Sequence, residues 1–372
     1  MKLNIAVLAG DGIGPEVMAE SIKCLRSVEE TFGHSFTFKK ALVGAVAIDK
    51  TGDPLPESTL QICRDSDAVL FGAIGSPKYD GNPTSKVWPE QGLFRLRKQL
   101  GLFANIRPVK VFPALVKQSP LAKKVIQHTD LVIYRELSSG IYYGDKSTNE
   151  ANNSATDTCT YTESEISRIA HLAFKAAKAR RKKLTLVDKA NVLETSRLWR
   201  RTVYTIAESY PDVTLECLFI DNAAVQMILN PSQFDVILTD IMFGDILSDQ
   251  GSVIAGSIGL LPSASVGAEY AMFEPIHGSY PYAKDKNIAN PVAAILSTAM
   301  LLQHFKMNEE SDAVVAAVLK SFSKKIVTPD ILGSSKYGTD YVGDFIADNI
   351  MELDGSFNMN DENIGLGKST II

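Results

Sequence analysis

No CxxC pair occurs among the four cysteines, Cys24, Cys63, Cys159 and Cys217. Thiols scattered in this way supply neither a zinc knuckle nor a redox couple, and they read as side chains of a reducing compartment. Long apolar runs are also missing: the longest, around Val292–Leu302, falls short of the ~18 residues that suggest a membrane span. The early run Ile5–Ala9 is too short for the core of a secretory signal and leads into Gly10-Asp11-Gly12 rather than a cleavage site. Basic excess is absent as well, with 38 Lys and Arg against 43 Asp and Glu and a net charge of -5, which argues against a nucleic-acid partner. A cytoplasmic protein without a membrane partner is expected. Two nucleotide signatures fail in the same way. Gly10, Gly12 and Gly14 are spaced GxGxG, not GxGxxG, and no acidic residue ends a second strand ~20 residues on. The GLGKST segment near the C-terminus has Glu362 where a phosphate loop needs its first glycine.

What is present is an ordinary globular composition, 45% hydrophobic and 22% charged over 372 residues. That length exceeds the ~250–300 residues at which one core usually divides, so two domains are expected. An apolar strand at Asn4–Leu8 runs into the glycine turn, and Pro15 suits the first turn of the helix that follows. A second strand, Ala68–Phe71, leads into Ile74-Gly75; a helix at Pro89–Leu100 and extended segments at Ala104–Val111 and Leu131–Arg135 follow. Polar, turn-rich sequence from Ser138 to Tyr161 reads as a protruding hairpin arm or a mobile loop. Thr162 and Glu165 form a capping box for a long helix, and Arg180–Lys183 at its far end complement the helix dipole. Strands at Leu184–Val187, Leu215–Ile220 and Asp235–Thr239 then alternate with helices, which implies α/β layering with much parallel sheet. After Gly256 a loop region is expected, then helices at Pro291–His304, Ser311–Phe322 and Tyr341–Leu353. The stretch 355–372 is polar and Asn-rich.

Within this frame a few side chains carry chemistry. In Phe243-Gly244-Asp245-Ile246-Leu247-Ser248-Asp249 a helix would set Asp245 and Asp249 on one face, where like charges repel. A divalent cation such as Mg²⁺ offsets that repulsion through carboxylate oxygens; the alternative is one capping and one solvated aspartate. Arg97, Arg107 and Arg135 stand among apolar neighbours. Clustered, they would grip a dianion by bidentate forks; separately, they are structural ion pairs. Lys189 follows an apolar strand, as a base lowered by desolvation and nearby cations or as a solvated lysine.

The ordered segments GDGIGPEV, LRK, LFANIRP, YREL with GIYYG, DKANVLE, PSQFDVI, FGDILSD, GLLPSAS, EPIHGS and NIANP resemble the isocitrate and isopropylmalate dehydrogenases, the β-hydroxyacid oxidative decarboxylases. The resemblance runs from about Lys2 to the last helix. It implies a two-domain α/β fold with mixed sheets and a central cleft, not a Rossmann fold. The first domain would be discontinuous, 1–102 with 256–372, on the cofactor side; the second would be 103–255, with a dimerisation arm near 138–161. It further implies a homodimer with shared active sites. Arg97, Arg107 and Arg135 would hold substrate carboxylates, and Leu93 would contact an aliphatic substituent, favouring 3-isopropylmalate over D-malate, tartrate or homoisocitrate. Asp245 and Asp249 would bind Mg²⁺ or Mn²⁺ together with Asp221 of the second subunit, which also meets the substrate. Lys189 and Tyr142 would be catalytic. NAD would lie against Ile74, Gly75, Glu90, Asn191, His277, Gly278 and Asn290. A paralogue that binds without turnover is the remaining alternative. Two positions depart from the family pattern: Ile241 stands where asparagine is usual before the FGD motif, and Tyr282 where an aspartate usually accepts from the adenosine ribose.

Overall fold

The computed structural model describes residues 1–80 and 87–351. The polar stretch 355–372 and the expected helix end at Leu353 lie outside the described residues. The fold is mixed α/β, and two compact units divide it. Among the described residues the first holds Met1–Leu102, Phe112–Pro120 and Ala255–Met351; the second holds Phe103–Val111 and Leu121–Ile254.

The first unit opens with β1 (Lys2–Gly10), α1 (Gly14–Phe32), β2 (Ser35–Lys40), α2 (Ala45–Thr51), α3 (Glu57–Arg64), β3 (Ala68–Ala73) and α4 (Glu90–Gln99). The second unit supplies β4 (Ala104–Lys110), α5 (Lys123–Ile126), β5 (Asp130–Glu136), β6 (Lys146–Asn149), β7 (Ser154–Asp157), α6 (Glu163–Ala179), β8 (Lys183–Asp188), α7 (Glu194–Ala207), β9 (Thr214–Phe219), α8 (Ile220–Leu229), β10 (Val236–Thr239) and α9 (Ile241–Ala255). The chain then returns to the first unit with β11 (Pro262–Val266), β12 (Ala271–Pro275), α10 (Val292–His304), α11 (Asn308–Ser323) and α12 (Thr339–Met351). Sequence reading runs the second domain unbroken from 103 to 255. The structure groups Phe112–Pro120 with the first unit, where the Phe112 ring meets that of Phe322 at 5.1 Å.

In the first unit the strand order is β2-β1-β3-β12-β11. The first four run parallel and β11 pairs antiparallel with β12. β3 is buried along its whole length, as parallel strands covered on both faces are. α10 explains the longest apolar run of the sequence: Val292–Leu302 is buried throughout, so the helix lies inside the core. In the second unit the order is β4-β5-β10-β8-β9, with β4 antiparallel to β5 and the rest parallel. The polar arm resolves into the antiparallel hairpin β6–β7, every residue of which is exposed.

Several boundaries follow from local chemistry. Thr162 Oγ1 accepts from the Glu165 N–H, and the Glu165 carboxylate accepts from the Thr162 N–H at 2.8 Å, closing the capping box. The basic run begins at the C-terminal end of α6, where Arg180 also forks to Asp235 and Asp130 at 2.7 Å each and pins the starts of β5 and β10. The segment expected to be loop after Gly256 contains the β11–β12 pair. Cys24 and Cys63 are buried and burial raises both thiols, in keeping with inert side chains. No described helix is long and apolar enough to cross a membrane.

Candidate active site

Strand pairing fixes most of the second unit's cluster. Asn105 faces Arg135 across β4–β5, and side chains two apart on a strand share a face, so Arg107 and Arg135 project from the same side of the sheet. Arg135 also pairs with Thr239, the last residue of β10, after which α9 begins. The tight connection swings α9 over Arg135. Its Nε donates to the Ile241 carbonyl at 2.7 Å, and its Nη1 lies 2.7 Å from Asp245 Oδ1. Arg107 Nη1 donates to Ser248 Oγ at 2.6 Å and reaches Asp245 at 3.5 Å. The Tyr142 hydroxyl completes the group, donating to Asp245 Oδ2 at 2.9 Å. Burial and the Asp245 charge push that phenol up to about 12, which keeps it protonated at neutral pH. Gly244 is required here, because a β-carbon would lie 2.6 Å from Arg135 Cγ.

Asp249 stands one helical turn beyond Asp245. Partial burial raises its carboxyl, and the Asp245 charge pushes the same way while Arg107 and Arg135 oppose it. Two carboxylates one helical turn apart suit a hard divalent cation, which takes oxygen ligands. Among the described residues no group of three or more His, Cys, Asp or Glu side chains is gathered to hold a metal within one chain. Asp221, expected from a second subunit, heads α8 and is 67% exposed.

The carboxyl ends of β8 and β9 lie side by side, Asp188 opposite Phe219, so Lys189 and Asp221 emerge together and form an ion pair. Lys189 therefore has an anion as its close partner, where the sequence reading had cations. Asp188 is buried beneath, forked to Arg200 at 2.7 and 2.8 Å, and the Lys189 N–H donates to Ser196 Oγ at 3.0 Å. Asn191 is exposed in the same turn. Ile241, the unusual residue before the FGD motif, is buried; what it contributes to Arg135 is its backbone carbonyl, which any residue supplies.

The first unit carries the other expected residues. Arg97, on α4, is buried and bound to Glu274 of β12 at 2.9 Å, while its Nε has no partner. Glu274 in turn accepts from Ser265 Oγ at 3.1 Å. Glu274 opens the EPIHGS motif, and nothing in the sequence pattern points to Arg97 as the partner of its carboxylate. Leu93 sits one turn before Arg97 on α4, partly exposed. The parallel strands β1, β3 and β12 end together, with Gly10 opposite Ala73. The turn at Asp11, the loop Ile74-Gly75 and the loop from Ile276 therefore share one edge, where open α/β sheets bind ligands. Glu90, at the start of α4, approaches Gly75.

His277 is buried in that edge. Its Nδ1 lies 3.0 Å from the Gly278 carbonyl, which can only accept, so Nδ1 carries the proton and Nε2 presents a lone pair. That Nε2 is buried without a partner. Next to it a β-carbon on Gly278 would meet nothing within 4 Å, so a ligand can approach the backbone. An orphaned acceptor beside open backbone fits the adenosine end of a dinucleotide. Asn290 is committed internally: its amide donates to Asp330 at 3.0 Å and its oxygen accepts from the Val292 N–H at 3.0 Å, capping α10. Tyr282 is 79% exposed, with Lys284 and Asp285 exposed beside it.

Residues 4–346 match the sequence profile of the isocitrate/isopropylmalate dehydrogenase family. The 3-isopropylmalate dehydrogenase of Bacteroides fragilis is 52% identical over 352 residues, covering 94% of this chain and 99% of that protein. That of Aquifex aeolicus is 50% identical over 362 residues, covering 96% and 99%. Among solved structures, isocitrate dehydrogenase from Methylococcus capsulatus superposes with a TM-score of 0.85 at 33% identity, covering 94% of this chain and 99% of that one.

Proposed function

Since the chain belongs to the isocitrate/isopropylmalate dehydrogenase family and is an oxidoreductase, we propose that it oxidises and decarboxylates (2R,3S)-3-isopropylmalate to 4-methyl-2-oxopentanoate and CO₂, with NAD and Mg²⁺ or Mn²⁺, in leucine biosynthesis. The observation that carries this reading is the convergence of Arg107 and Arg135 on Asp245, with the Tyr142 hydroxyl on the same carboxylate. Two buried guanidinium groups on one sheet face suit a substrate with two carboxylates. When bound, the dinucleotide supplies the hydride acceptor and the cation a Lewis acid for the oxygen at C2.

The chain's own groups do the rest. Arg107 and Arg135 orient the substrate carboxylates, with Arg97 of α4 assigned to them by the resemblance. Lys189, directly or through water, takes the proton of the 2-hydroxyl. Tyr142, held protonated beside Asp245, donates a proton to carbon once CO₂ has left. Asp245 and Asp249 hold the cation, and Ile74, Gly75, Glu90, Asn191, His277, Gly278 and Asn290 hold NAD. Tyr282 removes the carboxylate that would repel a 2′-phosphate, but no arginine replaces it; NAD remains favoured over NADP, by a narrower margin than an aspartate would give.

The active protein in this proposal is a homodimer in which Lys189 and Asp221 serve the second subunit's site. Exposed apolar side chains on α8 (Val225, Leu229) and α9 (Ile246, Val253) support it, as does the exposed β6–β7 arm. Sibling substrates are disfavoured because Leu93 is aliphatic. The test is reduction of NAD and NADP over a panel of 2-hydroxy acids, with and without Mg²⁺. Highest kcat/KM for 3-isopropylmalate with NAD and metal supports the proposal. Preference for isocitrate or D-malate overturns the substrate, and binding without turnover would mark a regulatory paralogue.

A further inference from the structure

The glycine-rich turn after β1 matched no nucleotide signature, yet it touches both loops assigned to the dinucleotide. Asp11 is buried, and its carboxylate accepts three backbone N–H groups: Gly75 at 3.0 Å, Ala45 at 2.9 Å and Val46 at 3.0 Å. The first holds the Ile74-Gly75 loop. The other two cap α2, whose Asp49 accepts from Lys78 and Tyr79 at 2.5 Å each and so fixes the far side of that loop. Two residues on, the Ile13 N–H donates to the Ser279 carbonyl at 2.8 Å. Glu16, in the first turn of α1, accepts from the Asp285 N–H at 2.6 Å. Asp285 is held there at φ 59°, a left-handed conformation that costs a non-glycine residue free energy unless its surroundings impose it.

We infer that Asp11 and Glu16 are positioning residues for the cofactor, tying the Gly75 loop and the His277–Asp285 loop to a single turn so that both meet the dinucleotide in a fixed register. The inference rests on the dinucleotide reading above. Neither side chain need touch the ligand. Their effect is to order, before binding, two backbone segments that would otherwise be ordered at the expense of affinity. Glu16 acts through hydrogen bonding at Asp285, so an uncharged acceptor of the same length should serve.

The experiment is NADH binding to the full-length protein by fluorescence titration, with steady-state kinetics and thermal unfolding alongside, for Asp11→Asn, Glu16→Ala and Glu16→Gln. Asp11→Asn and Glu16→Ala should each raise the NADH Kd and the KM for NAD about tenfold, the scale of one hydrogen bond, with kcat at saturating NAD and binding of 3-isopropylmalate little changed. Glu16→Gln keeps an amide oxygen for the Asp285 N–H and should bind like the parent. If Asp11→Asn does not fold, the Glu16 pair decides the matter alone. Glu16→Ala binding NADH as tightly as a binding-competent parent overturns the inference and leaves the dinucleotide reading standing. Losses confined to Tm, or shared equally by kcat and KM, also overturn it, since a merely structural turn would behave so. A parent protein that binds no NADH overturns the dinucleotide reading and this inference with it.

Discussion

Arg107 and Arg135 are buried, so their charges must be matched by anions within the unit or by a ligand. Asp245 is one such anion, and the proposed dicarboxylate substrate would bind beside it. Selectivity among dicarboxylates falls to apolar contact, for which Leu93 is the candidate. Leu93→Ser should erode the kcat/KM preference for 3-isopropylmalate over D-malate by roughly 1–3 kcal/mol; an unchanged ratio would remove Leu93 from the substituent's contact. His277 yields a pH test. Burial lowers its pKa below the ordinary 6.5, so the neutral ring belongs to the folded protein. The stability it contributes is complete above the unfolded value and is lost as pH falls through the lowered one. NADH affinity should therefore be flat from roughly pH 8 down to about 6.5 and weaken only on the acid side, as Nε2 gains a proton and ceases to accept. Affinity that weakened with rising pH would contradict an acceptor role. Residue identities of this kind were legible through motifs, but pairings were not. Arg97 could be singled out, whereas its partner Glu274 lies 177 positions away and meets it only through the fold. Lys189 likewise gave no sign of its ion pair with Asp221.

Elements deliver these residues by one device used twice: parallel strands ending together. In the second unit, β5, β10, β8 and β9 end near Arg135, Asp240, Lys189 and Asp221; in the first, β1, β3 and β12 end at the turn and the two loops. The turn after β1 tolerates little change. Gly10 has φ 71°, and a β-carbon there would collide with the Ala73 carbonyl oxygen of the neighbouring strand. Gly10→Ala should cost about 3 kcal/mol or more in denaturant unfolding, strain and backbone collision acting together. Parental stability would mean that β1 and β3 separate freely at this end. Long amphipathic helices could be read from the sequence because their periodicity spans many residues, as in α1 and α6, and α10 stood out as an unbroken apolar run. Short or atypical elements escaped. α2 and α3 span 7 and 8 residues, too few for a helical period to stand out. β11 begins with Pro262 and carries Ser263 and Ser265, yet it is buried throughout; small polar residues there satisfy themselves at β12, Ser263 donating to the Glu274 carbonyl at 3.1 Å. The basic run after α6 was visible, but its partners Asp130 and Asp235 were not.

At the scale of the whole molecule, the chain carries Asp245 with its arginines and also the Lys189–Asp221 pair, whose carboxylate is exposed, along with exposed apolar side chains on α8 and α9. In the proposed shared-site homodimer those two sets would complement one another across a twofold axis, and each site would depend on both chains. Complementation tests that arrangement more sharply than a molecular mass can. Lys189→Ala and Asp245→Ala homodimers should each be nearly inactive, because every site lacks one of the two groups. After subunit exchange, half of the dimers are mixed. In a mixed dimer the site built on the chain with intact Asp245 receives Lys189 from the other chain and carries neither lesion, while the second site carries both. One site in two within half of the dimers is then whole, so activity should recover to about a quarter of the parental value. Exchange must be verified independently, with differently tagged chains captured together. Verified mixed dimers that stay inactive would show that Lys189 and Asp245 serve the same site from one chain, and the Lys189–Asp221 pair would then belong to that chain's own chemistry.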